Sequence, residues 1–355
     1  MNIKAIASAS CVGLLLSMAG GQAVAGSNVP KMADKAKFSV MAFNIEQLPK
    51  SVPWWTPGTE YRQDRVNNAE TVILNNDADV VVLDEAFTSE AEALTNTDKI
   101  KNKYPYQTKL VGVQCSGDEW DSYSGDCSRS LVVISGGVKI LSKFKITEKH
   151  QLTFDDSSKN SWDYWANKGA GLVKLDVNGT SAWLAGTHLQ ADEKTPEEDR
   201  KIRVKQITQL RTWATQKSGG APIVVAGDFN VPYYEIDHND QSAPKSEVSE
   251  EFKEAEKELG CALFPQASYP TFEKKYTYDM VKNPRAKLRL DKENTLAKYK
   301  NVLDYVGCIK GDAAAPAFPD LEGGKILDDY SVPSGEKGEL KIPSDHYPLI
   351  SWVEL

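Results

Sequence analysis

Two features of this sequence predict an α/β fold, and a third predicts one large domain. Short β-type runs alternate with helical stretches along the chain. Many of these runs are continuously apolar, such as Val80–Val81–Val82–Leu83 and Ile223–Val224–Val225–Ala226, which suits strands buried on both faces. No internal repeat and no long low-complexity linker divides them.

In order, the chain opens on a basic residue, Lys4, a short apolar core at Val12–Leu16, and a small-x-small site at Ala23–Val24–Ala25. That core is too short for a membrane helix, which needs about 20 residues. Residues 1–25 therefore read as a signal peptide. The domain is expected over 26–355, exported after cleavage near Ala25 to the periplasm or the exterior. Strands are expected at Phe38–Ile45, Asp79–Leu83, Ser130–Leu141, Gly171–Leu175, Ser181–Thr187, Pro222–Gly227, Val302–Cys308 and Leu349–Val353. Val204, Ile207, Leu210 and Ala214 share one helix face. So do Val248, Phe252, Ala255 and Leu259, with Gly260 as a stop and the Glu/Lys run 247–258 as a solvated face. Pro53–Gly58 and Asp312–Gly338 read as long surface loops.

The 355 residues carry 42 Lys+Arg against 50 Asp+Glu, a net charge of −8. That balance argues against gripping nucleic acid by bulk electrostatics, because a phosphate backbone rewards basic surfaces. It leaves open a bridge to phosphate through a metal. Once Cys11 leaves with the signal, Cys115, Cys127, Cys261 and Cys308 remain, an even number in an oxidising compartment. Three pairings are possible. The preferred one joins Cys115 to Cys127 around a Gly/Ser/Asp-rich loop and Cys261 to Cys308. Zinc is the rival, but there is no Cys-x-x-Cys and no His beside any of the four.

Polar residues gather at strand ends: Asn44, Asp84–Glu85, His188, Asp228 and Asn230, and Asp345–His346, while Asp304 interrupts an apolar run. Singly, an Asp-x-Asn after a strand is a turn or a helix cap. Together, one Glu, several Asp, two Asn and two of only four His at separate strand ends point to a catalytic rim.

The ordered series Phe43–Asn44–Ile45, Asp84–Glu85, Gly186–Thr187–His188, Gly227–Asp228–Phe229–Asn230, Leu303–Asp304–Tyr305 and Ser344–Asp345–His346 resembles the endonuclease/exonuclease/phosphatase superfamily. Within it, Tyr104–Thr108, Gly136–Gly137–Val138, Asn167–Lys168–Gly169, Asp199–Arg203 and Asn294–Tyr299 resemble the secreted bacterial neutral sphingomyelinases. The resemblance spans Phe38 to Trp352. It implies a four-layer sandwich of two packed mixed β-sheets flanked by helices, in a single catalytic domain.

It also implies a monomeric, Mg²⁺-dependent phosphodiesterase, with Mn²⁺ or Co²⁺ as substitutes. The substrate would be sphingomyelin or a related phospholipid at a membrane surface, the products ceramide and phosphocholine, with no nucleic acid partner. A nuclease or phosphatase acting on a soluble phosphoester is the alternative. Glu85 is the implied first metal ligand, with Asn44 beside it and Asp345 supporting the shell. His346 is the implied general base, oriented by Asp304. Asp228 and Asn230 would position water and a phosphate oxygen, and His188 would hydrogen-bond the phosphoryl group. Asp163 and Lys168, five residues apart, match a switch that brings both to the site. Trp162, Tyr164 and Trp165 could meet a choline group through cation–π contact or could be core.

The chain departs from the toxin-like members at an edge metal site, where it has Ser89, Ile134 and Ser135. It also lacks an aromatic hairpin across Asp328–Pro343. The edge metal is expected to be absent, with Trp54–Trp55 as an alternative wedge.

Overall fold

The computed structural model describes residues 36–49, 60–115, 117–127, 135–159, 161–263, 275–290, 293–312, 320–329, 333–335 and 337–355. The expected signal peptide, the Pro53–Gly58 loop with Trp54–Trp55, and Ile134 lie outside them. All described residues belong to the unit Lys35–Leu355.

Two six-stranded sheets form the centre. The first runs β15 (Asp320–Ile326), β16 (Leu349–Glu354), β1 (Lys37–Gln47), β2 (Val80–Ala86), β5 (Lys139–Ser142), β3 (Tyr106–Gln107). The second runs β14 (Asp304–Ile309), β9 (Ile223–Asp228), β8 (Thr180–His188), β7 (Gly169–Val177), β6 (Lys145–Thr153), β4 (Ser122–Ser124). Two small hairpins, β10 (Tyr234–Asp237) with β11 (Ala243–Val248) and β12 (Tyr278–Asp279) with β13 (Lys300–Asn301), stand beside them. The helices are α1 (Arg62–Asn76), α2 (Ser89–Thr95), α3 (Asp98–Lys103), α4 (Trp162–Trp165), α5 (Pro196–Lys217) and α6 (Glu250–Leu259).

Strand alternation divides the apolar residues between layers. In β1 and β2, Val40, Ala42, Val80 and Val82 join a core with Leu172, Leu184 and Val224 of the second sheet. Their neighbours Met41, Phe43, Val81 and Leu83 pack with Val66, Ala69 and Ile73 of α1 and Leu94 of α2. At Gly186 the sheets approach so closely that a Cβ would lie 2.9 Å from Val82. On the far side, α5 starts where Thr195 caps the amide of Glu198, with Pro196 in the first turn and acidic residues after it. The four layers are therefore helix, sheet, sheet, helix.

Several expectations need correction. Asp320–Ile326 is a strand paired with β16 inside the expected loop 312–338. Its Gly-Gly pair hides the period, and a register shift between Glu322 and Gly324 shows where. Of the expected strand Ser130–Leu141, only the stretch from Lys139 is strand among the described residues. Val248 ends β11, and α6 begins at Glu250 behind the Ser249 cap. Glu251 leaves the supposed solvated face, being 8% exposed and bound to Arg203 at 2.6 Å. Asp304 is the first residue of its strand rather than an interior one.

Cys115 is bonded to Cys127 and Cys261 to Cys308, with Cα separations of 5.9 and 5.5 Å. Among the described residues no helix is long and apolar enough to cross a membrane.

Candidate active site

The site forms because strand direction brings distant segments to one rim. β1 and β2 are parallel, as are β8 and β9, so Asn44, Glu85, His188 and Asp228 arrive near C-terminal strand ends. β14 and β16 run antiparallel to their neighbours, so Asp304 and the Asp345–His346 pair arrive at strand beginnings. Gly227, at φ 141°, permits the closest approach: a Cβ there would sit 1.9 Å from the Thr187 carbonyl oxygen. Glu46, Glu85 and Asn230 hold left-handed φ of 48°, 53° and 52°, a cost of roughly 1–3 kcal/mol each that clusters at the rim.

His346 Nδ1 lies 2.8 Å from Asp304 Oδ2, and His346 Nε2 lies 3.8 Å from Asp228 Oδ2. Burial alone would depress the imidazole, but Asp304, Asp228 and Asp345 outweigh it and hold its pKa well above the usual histidine range. Asn44 Nδ2 donates to Asp228 Oδ2 at 2.9 Å, and the Asn230 amide donates to Asp228 Oδ1 at 2.9 Å. Burial and Asp304 raise Asp228 to about 6.

Lys168 is buried and donates to Asp163 Oδ2 at 2.7 Å, to the Leu189 carbonyl at 2.8 Å and toward His188 Nε2 at 3.0 Å. The Asp163–Lys168 pair is thus no surface salt bridge, and it reaches the site through His188. With Lys168 donating, His188 Nε2 is an acceptor and its proton belongs on Nδ1. Burial, Lys168 and His346 keep this imidazole well below its usual pKa. Lys168 thereby spends its three protons on Asp163, Leu189 and His188. The ring edge that faces the site, Nε2 at 3.6 Å from Asp228 Oδ2, is an acceptor, and Nδ1 is buried without a partner among the described residues. This arrangement therefore does not supply the expected donation from His188 to a phosphoryl group. Trp162 and Trp165 are 57% and 42% exposed, which excludes a core role.

Carboxylate oxygens are left over. Glu85 Oε2, Asp84 Oδ1 and Asp304 Oδ1 are buried without a hydrogen-bond partner. Burial and Asp345 push Glu85 up to about 7, and burial and Asp228 push Asp84 well above the carboxylate range. Unpaired oxygens of this kind fit a hard divalent cation. Asp228, Asp304 and His346 also present ligand atoms within 4.8 Å of one another and could hold a metal ion. Asn44 Oδ1 accepts from the Glu46 amide at 3.0 Å and keeps a second lone pair. Asp345 is pulled toward Arg289, 3.4 Å away, and its pKa is lowered because Arg289 and His346 overcome burial.

Sequence reasoning missed Glu46. It is buried and receives Arg65 Nη1 at 2.8 Å, Arg285 Nε at 2.7 Å, Arg289 Nη2 at 3.3 Å and the Asp345 amide at 3.1 Å. Its only local signal was an acid closing an apolar strand. At the expected edge site, Ser89 Oγ contacts Glu90 at 3.1 Å and Ser135 Oγ accepts the Gly137 amide at 3.3 Å.

The model of the Endonuclease/Exonuclease/phosphatase family matches residues 41–346. Sphingomyelinase C 2 of Leptospira interrogans is 28% identical over 92% of this chain and 48% of its own length, so the chain spans about half of that relative. A sphingomyelinase C of Bacillus cereus is 29% identical over 86% of this chain and 84% of its own. The crystal structure of sphingomyelinase C from Streptomyces griseocarneus aligns at TM-score 0.67 and 25% identity, over 89% of this chain and 99% of that one.

Proposed function

The chain belongs to the endonuclease/exonuclease/phosphatase family, and from that membership we propose that it hydrolyses sphingomyelin to ceramide and phosphocholine in a Mg²⁺-dependent reaction after export from the cell. The observation that carries the reading is the buried His346–Asp304 pair facing Asp228 beside unpartnered carboxylate oxygens. The sphingomyelinase C relatives support the choice of substrate.

In its deprotonated form, which the raised pKa shifts to higher pH, His346 Nε2 accepts the proton of the attacking water, and Asp304 stabilises the imidazolium that results. Asp228, fixed by Asn44 and Asn230, orients the water. When substrate binds, Lys168 would turn one N–H from His188 to a phosphoryl oxygen. The bond from water oxygen to phosphorus forms as the bond from phosphorus to the ceramide oxygen breaks, and the departing oxygen takes a proton from solvent water to leave as the alcohol. Glu85, with Asn44 beside it and Asp345 behind, would hold Mg²⁺, which when bound supplies Lewis acidity and charge neutralisation.

The test is an assay of the purified chain with Mg²⁺ on sphingomyelin, phosphatidylcholine, plasmid DNA and a generic soluble phosphodiester. Phosphocholine release from sphingomyelin is the expected result. Cleavage of DNA or the soluble ester without it would replace this reading with that of a nuclease or a soluble-ester phosphodiesterase.

A further inference from the structure

Beside the catalytic rim, a groove of about 640 Å³ is lined by Tyr234, Lys245, Tyr276, Val281, Lys298 and Lys300 among others. It lies next to the site: β13 carries Lys300 and pairs with β12, and Tyr278 of β12 forms a bridge to His346 with ring centroids 5.0 Å apart. In a chain of net charge −8, this wall presents three ammonium groups and no lining carboxylate. Lys245 has no carboxylate partner among the described residues. Lys300 sits 4.9 Å over the Tyr276 ring. Lys298 pairs only at the surface, with Asp240. The Tyr234 and Tyr276 side chains add phenol hydroxyls without a hydrogen-bond partner among the described residues, and Val281 leaves 43% of its surface exposed at the lip.

Ammonium groups and phenol donors around a space this large suit a phosphate-bearing headgroup, and an apolar lip suits the lipid attached to it. We propose that this groove binds the headgroup of an anionic phospholipid and docks the protein on a negatively charged bilayer, with His346 close to the surface. The choice of a lipid over free phosphate rests on the proposed function; the groove itself does not.

The experiment is sedimentation with phosphatidylcholine vesicles containing 0, ~10 or ~30 mol% phosphatidylglycerol and no sphingomyelin, so that binding is read without turnover. Binding should rise with phosphatidylglycerol and fall at high salt. Lys245→Gln with Lys300→Gln should weaken it about 25-fold, at roughly fivefold per lysine near an anionic surface. Lys245→Arg with Lys300→Arg should retain it, and thermal melting checks that both variants fold. Indifference to phosphatidylglycerol, or wild-type binding by the Gln variant, would overturn the proposal. So would capture of inorganic phosphate or an oligonucleotide in place of vesicles. Docking without sphingomyelin hydrolysis would leave the groove standing and remove the substrate assignment alone.

Discussion

Lys168 Nζ lies 3.0 Å from His188 Nε2 while holding Asp163 at 2.7 Å, so one buried ammonium ties a helical turn to a strand end. Removing the charge leaves the buried Asp163 carboxylate without its cation, although the Ala191 amide still donates to it at 2.7 Å. Breaking one side of a buried ion pair typically costs ~3–5 kcal/mol. Lys168→Met should destabilise the fold by an amount in that range in urea unfolding, and Asp163→Asn combined with it should recover part of the loss. An additive double variant would show that the pair is not coupled.

His346→Ala should cut turnover by the ~10²–10⁴-fold typical of general acid–base catalysis, with substrate binding much less affected. Near-wild-type turnover in a folded variant would remove His346 from the base role. The charge on this imidazole also sets a pH dependence. Its folded pKa is raised, so its stabilising contribution is fully present below the unfolded value of about 6.5 and is lost as pH rises through the elevated folded value. In the metal-free protein, NMR titration of His346 should report a pKa above 6.5, and Asp304→Asn should lower it.

Much of this was legible in the sequence because the rim residues end apolar runs: Asp228 and Asn230 follow Ile223–Gly227, and His188 closes Trp183–Thr187. Strand ends are local features, and a single chain prints them in order. The Glu46 cluster is different. Its arginines at positions 65, 285 and 289 come from α1 and a distant turn, and nothing local ties Arg285 to Glu46 across so much chain. The exposure of Trp162 and Trp165 was equally illegible, since four helical residues give no periodicity to read.

Glu85 predicts how metal binding should respond to pH. With its carboxyl pushed up to about 7, a cation must displace a proton below that pH. The Mg²⁺ concentration at half-maximal thermal stabilisation should rise about tenfold per unit of pH below 7 and level off above it. Glu85→Gln should lose most of the Mg²⁺-dependent shift in Tm. A full shift at the wild-type concentration would exclude Glu85 as the principal ligand.

The last prediction concerns Glu46, which ties Arg65, Arg285 and Arg289 to the Asp345 amide. Arg65 and Arg285 are wholly buried around it, and the Asp345 amide donates to the same carboxylate. Glu46→Gln keeps the shape but leaves the guanidinium charges facing a neutral amide, where a broken buried pair typically costs ~3–5 kcal/mol. The loss should exceed that of Glu251→Gln, whose carboxylate serves mainly Arg203. Because Asp345 and His346 are adjacent in sequence, turnover should fall with stability even at temperatures where the variant is folded. Glu46→Gln with Arg65→Met removes one stranded charge and should restore stability more than turnover. Equal recovery of both would mean that Glu46 acts through stability alone rather than by positioning Asp345.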